Sequence, residues 1–161
     1  MRYACITRVI TSALVVIILA VIIERKYMRE TLIARMKEEI TNNLATYLNA
    51  EGVRLLMAAN DNSASEIFSA KGPCVLLETL EDTPLQGRQL LSEIRVGLEI
   101  TGKQWQCNTL VEGIYHALQP YGITLPELTV ILMSMHVESV HCITRQRISK
   151  RTVIRYIVEQ N

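Results

Sequence analysis

The sequence predicts an α+β fold: a single N-terminal transmembrane helix and stalk helix, followed by a small mixed α/β domain with antiparallel strands. Three observations predict it. Val9 to Ile23 runs for fifteen residues without a charge. The next stretch places apolar residues at helical spacing. Beyond residue 70, apolar blocks and period-two runs are punctuated by Gly and Pro. Composition sets the bounds. Apolar residues are 49% and charged residues 20% of the 161, which excludes a disordered chain. A net charge of +1 excludes a globally basic nucleic-acid binder. Four Cys are too few for a fold built on disulfides.

In the first element, eleven of the fifteen residues from Val9 to Ile23 are Leu, Ile or Val. On the insertion scale they favour a membrane site by roughly 3–7 kcal/mol. Fifteen helical residues cover about 22 Å, short of the ~30 Å hydrocarbon layer. Adding Tyr3 to Arg8 extends the helix to about 31 Å, with the Arg8 guanidinium reaching the headgroups. Tyr3 and Tyr27 flank the span, as interfacial aromatics do. A cleaved signal peptide needs small residues at its cleavage site, and VIIERKYM offers none. Arg2 and Arg8 precede the span, whereas Arg25, Lys26, Arg29, Arg35 and Lys37 follow it. Counting positive charges therefore does not favour an external C-terminus, and weakly favours the reverse.

Tyr27 to Asn49 reads as a second helical stretch. Ile33, Met36, Ile40, Leu44 and Tyr47 step by three and four and share a face. That stripe can pack on its own domain or on a partner helix, so Ile33, Met36, Ile40 and Leu44 are candidates for partner binding. Val53 to Phe68, split by the turn signal at 60–63, fits a hairpin or two helical pieces. Cys74 to Leu80 reads as a strand after Gly72-Pro73. Ile94, Val96, Leu98 and Ile100 alternate with Arg95, Gly97, Glu99 and Thr101, which predicts a strand with one buried face. Asn108 to Leu118 reads as a helix capped by Asn108 and stopped at 120–122. Thr129–Ile143 and Arg151–Glu159 read as the last two strands.

The motifs are sparse. Gly97 to Gln104 imitates a phosphate-binding loop, but Gln104 stands where a hydroxyl must bind Mg²⁺, and the middle residues alternate like a strand. No hydrolase, zinc-protease or dinucleotide signature occurs, so neither an enzyme nor a cofactor is expected. Cys74, Cys107 and Cys142 lack metal spacing. Cys107 and Cys142 are the expected disulfide, because both close predicted strands, with three pairings open. His116, His136 and His141 are candidate pH sensors, the side chains whose ordinary titration falls between about pH 5 and 8. A spacing of five puts His136 and His141 on opposite faces of a regular strand. Arg145, Arg147, Lys150, Arg151 and Arg155 read as a solvated hairpin turn with charged edges, or else as a lipid or DNA patch.

Over its whole length the chain resembles the PsaF/MyfF fimbrial regulatory proteins of enterobacteria. The resemblance runs from MRYACITR through VIIERKYMRE to ITRQRISKRTVIRYIVEQN. It implies a single-pass inner-membrane protein, with residues 1–8 cytoplasmic, 9–23 transmembrane, 24–50 a stalk and 51–161 a periplasmic domain. It also implies a partner, a membrane-bound winged-helix transcriptional activator joined through its periplasmic domain. Together the two would switch on a fimbrial operon in response to acidity and temperature. That organisation is similar to the small co-regulators ToxS and VtrC. Direct contact with nucleic acid is not expected, and whether a small-molecule ligand is sensed is left open by the sequence. A structural or assembly component of a pilus or secretion machine is the alternative.

Overall fold

A computed structural model describes residues 2–58, 67, 71–85, 91–118, 124–126 and 128–160, with side chains from residue 14 onward except at 124 and 160. The turn expected at 60–63 and the stop at 120–122 lie outside the described residues, as do the side chains of Tyr3 and Cys5. The fold is α+β. Helix α1 spans Arg2–Glu51 and α2 spans Gln104–Leu118. The strands are β1 (Arg54–Met57), β2 (Cys74–Pro84), β3 (Leu91–Gly102), β4 (Thr124–Leu125), β5 (Leu128–Cys142) and β6 (Ile148–Gln160). They form one sheet in the order β1-β2-β3-β6-β5-β4. The β1–β2 pair is parallel and the other pairs are antiparallel.

The second half of α1 is part of the domain core rather than a stalk beneath it. Met28, Leu32, Met36, Ile40 and Leu48 are buried, with Leu44 partly buried between them. They step by four, so they stack along one face. Against them pack Leu110 and Ile114 of α2, Ile94, Val96, Leu98 and Ile100 of β3, and Ile154, Tyr156 and Val158 of β6. The stripe of Ile33, Met36, Ile40 and Leu44 is thereby engaged within the chain. Its assignment to partner binding is corrected for this state, because Met36 and Ile40 have no exposed surface. The helix ends at Gly52, whose φ of 61° suits a residue lacking Cβ. Val53 N–H donates to the Leu48 carbonyl and Gly52 N–H to that of Asn49, the paired bonds of a Schellman stop.

At Gly113 the two helices approach closely. A Cβ built there would meet Leu44 Cδ2 at 2.9 Å. Helix α2 begins four residues before the expected start at Asn108. The Gln106 side chain accepts the Lys103 N–H at 3.0 Å, reaching back to the cap position as a capping-box residue does. The imitation phosphate loop is strand through Gly102, which removes the flexible cradle a nucleotide would need.

The sheet departs from regular alternation in two places. β3 is buried on both faces from Val96 onward, not on one. Ile67, Cys74, Leu76 and Leu56 form a second apolar cluster on the face away from the helices, and Gly97, Glu99 and Thr101 lie on that face by register. In addition, β5 carries bulges between Leu132 and Ser134 and between Val137 and Ser139. A bulge inserts one residue and reverses the alternation beyond it.

Among the described residues no helix is long and apolar enough to cross a membrane. The described part of the expected span begins at Leu14. From Leu14 to Ile23, eight large aliphatic side chains are between 49% and 65% exposed.

Candidate functional site

The helix-free face of the sheet carries an ion-pair network that crosses four strands. Arg151 of β6 lies opposite Glu99 of β3 in register. Its Nη1 is 3.3 Å from Glu99 Oε2, its Nη2 is 2.7 Å from Glu78 Oε1 on β2, and its Nε is 3.5 Å from Glu138 Oε2 on β5. One guanidinium therefore serves three carboxylates. Glu138 reaches it from the bulged position between Val137 and Ser139. The Ser149 hydroxyl donates to Glu99 Oε1. Beside this group, Arg147 donates to the Thr101 hydroxyl at 3.3 Å and to the Gly72 carbonyl at 3.4 Å.

Among the described residues Glu99 is a buried carboxylate, at 8% exposure over the whole residue. Burial raises its pKa above the ordinary carboxylate value, and the like charge of Glu78 adds to the rise; Arg151 and His141 pull it back. Removal from water disfavours the ionised form. Glu93 on the same strand behaves oppositely. Arg155 grips it with two bonds, 2.8 and 3.0 Å, and lowers its pKa through hydrogen bonding.

These placements revise the reading of the basic cluster. Arg151 and Arg155 are half-buried in ion pairs, and Lys150 bonds to the Asn108 side chain. The cluster frames the β5–β6 hairpin, with residues 144–146 exposed at its turn and Arg151 and Arg155 ion-paired on its edge, and is not an open patch for a polyanion. Arg145 alone of the five side chains is exposed.

The histidines are not gathered into one site. His116 is exposed on the last turn of α2, its ring edge-on to Tyr115 at 5.7 Å. His136 and His141 are exposed on β5. They pair with Val153 and Ser149, which are four apart, so both histidines share the helix-free face. The expectation of opposite faces is corrected by the bulge at Val137/Ser139, which supplies the extra residue. Only His141 couples electrostatically to Glu99. No group of three metal-binding side chains occurs among the described residues.

Cys107 and Cys142 are not joined, and Cys74 is in no disulfide, so the expected bridge is not formed in this structure. Cys107 lies in α2 rather than at the end of a strand, and its buried sulfur is 3.6 Å from the Ile100 carbonyl oxygen. Burial raises its pKa, which favours the unreactive thiol over the thiolate. Cys142 is exposed at the end of β5.

A separate cleft of about 270 Å³ separates α2 from β5, walled by Val111, Tyr115, Met135, Val137 and Lys150. Glu112 and the candidate His136 also line it.

Sequence reading missed Glu78, Glu99 and Glu138. The available signal was Gly97 and Thr101 on either side of Glu99, small residues on a face assigned to solvent. No family model matches this chain, and no curated protein matches it. Among solved structures, a crystal structure from Akkermansia muciniphila is 8% identical, aligning over 89% of this chain and 92% of its own at a TM-score of 0.34. That likeness carries no argument about fold or function.

Proposed function

We propose that this chain is a membrane-anchored regulatory subunit. It is held by its N-terminal helix in the inner membrane, with its α+β domain in the periplasm. The observation that carries the anchor is the exposed aliphatic surface from Leu14 to Ile23. It is apolar on every side of the helix, and a helix hydrophobic all round belongs in a core or a bilayer. The same helix continues into the domain core, so anchor and domain form one rod without a flexible linker. The full-length resemblance to the PsaF/MyfF proteins supports the rest. The domain associates with the periplasmic domain of a membrane-bound winged-helix activator of a fimbrial operon, stabilises it, and takes part in sensing acidity and temperature. The signal acts through unequal affinity for two states of the activator.

Co-purification from solubilised membranes tests this reading, paired with an alkaline phosphatase fusion to the C-terminus. The expected outcome is one single-pass activator recovered with the chain and an active fusion. An inactive fusion, or recovery of pilus subunits in place of an activator, overturns it in favour of the opposite topology or an assembly role.

A further inference from the structure

We infer that the acid-responsive element of this domain is the Glu78–Glu99–Glu138 cluster around Arg151, with Glu99 as its titrating group, and that acid tightens the sheet rather than loosening it. For its biological use this rests on the regulatory reading above; the physical claim concerns the domain alone. Three carboxylates converge on a single guanidinium. With all three ionised, the group carries a net charge of −2 around a buried oxygen pair. The carboxylates come from β2, β3 and β5 and the cation from β6, so their repulsion acts across the sheet between strands that must stay paired. The exposed Glu138 and half-buried Glu78 keep access to water. Glu99 does not, and it is the member for which losing charge brings most relief.

The other described groups facing Glu99 are Ser149 on β6 and His141 on β5, with Arg147 acting one step away through Thr101. Ser149 offers a hydroxyl that can donate to the carboxylate or accept from the neutral acid. His141 opposes the neutralisation of Glu99 once it gains its own proton. The sign is therefore set by Glu99. A group whose pKa is higher folded than unfolded contributes stability below its unfolded value, here 4.5. That contribution is lost as pH rises through the folded value. As pH falls back through the folded value the domain regains it.

The experiment is thermal unfolding of the full chain in detergent micelles at about pH 5 and about pH 7.5, wild type against Glu99→Gln. Gln is the uncharged isostere of the protonated acid. The expected result is a higher midpoint for E99Q at the upper pH and a gap that closes in acid. An equal gap at both pH values, or a lower midpoint for E99Q at the upper one, overturns the inference. A triple His116→Gln, His136→Gln, His141→Gln chain is expected to keep the wild-type response, and loss of that response in it also overturns the inference. If E99Q does not fold, Ser149→Ala decides. Removing a donor to the carboxylate moves the pH of the transition upward, whereas an unmoved transition contradicts the assignment. Failure to recover an activator leaves these midpoints unchanged, so the two readings fail separately.

Discussion

Two halves of one helix solve the same problem in opposite ways. Residues 14–23 of α1 hold large aliphatic side chains exposed to about half their area or more, whereas Met28, Leu32, Met36, Ile40 and Leu48 are buried beneath the sheet. Both halves are rich in aliphatic residues, so hydrophobicity alone does not separate them. Patterning does. The upper half confines its apolar residues to a stripe and places Lys37, Glu38, Glu39 and Thr41 to Asn43 elsewhere. The lower half has no polar face. A stripe can be satisfied by a sheet, but an apolar surface on every side needs a surrounding apolar medium.

The largest expected effect tests that division directly. Ile40→Ala removes a fully buried side chain and is expected to cost about 2–5 kcal/mol. Ile18→Ala, the same chemical change in the other half, is expected to alter unfolding of the domain by less than ~0.5 kcal/mol. Denaturant unfolding of the full chain in micelles measures both. Ile18→Lys is expected to release the chain from membranes in alkaline carbonate, because a central charge costs about 2.5–3.5 kcal/mol on the insertion scale, whereas Ile40→Ala is not. Equal destabilisation by the two alanines would erase the distinction between the halves.

Next in size is Gly113→Ala. The added methyl meets Leu44 at 2.9 Å, so α1 and α2 must part or Leu44 must turn. Overpacking of this kind costs about 1–3 kcal/mol, set against the small gain in helix propensity from replacing Gly. Leu44→Ala in the same chain is expected to recover part of the loss, giving a coupling that a double-mutant cycle reads. No coupling would mean that the upper half of α1 is held by the sheet alone.

The elements were largely legible in the sequence, because period-two and helical patterns survive folding. The expected strands Cys74–Leu80 and Ile94–Thr101 fall in strands that the structure extends by only a few residues, and Thr129–Ile143 matches β5 to within one residue at each end. The site was much less legible. Glu99 alternates with Ile94 to Ile100 as a solvent-facing residue should, and only tertiary packing over the helix-free face buries it. The shared face of His136 and His141 depends on a single bulge residue, which periodicity does not reveal. The early start of α2 depends on Gln106, a weaker signal than the Asn108 that suggested the cap. Patterns along the chain report which side of an element is apolar. They do not report whether the polar side is also covered.

The smallest effect concerns the border between the two halves. Arg29 is 3.8 Å from Asp82 of β2, with side chains 38% and 5% exposed. The pair fastens the β2 end of the sheet to the helix just above the aliphatic segment. Its length and the exposure of Arg29 make it weak, and Arg29→Gln is expected to cost no more than about 1 kcal/mol, less at high salt. The informative measurement is hydrogen exchange at the end of β2. Faster exchange confined to Thr79–Pro84, with residues 32–48 of α1 unchanged, would show that the domain end next to the aliphatic segment opens independently of the core. Exchange that rises along the whole of α1 would instead make the helix one cooperative unit, and the contrast between its halves would then be one of surroundings and not of stability.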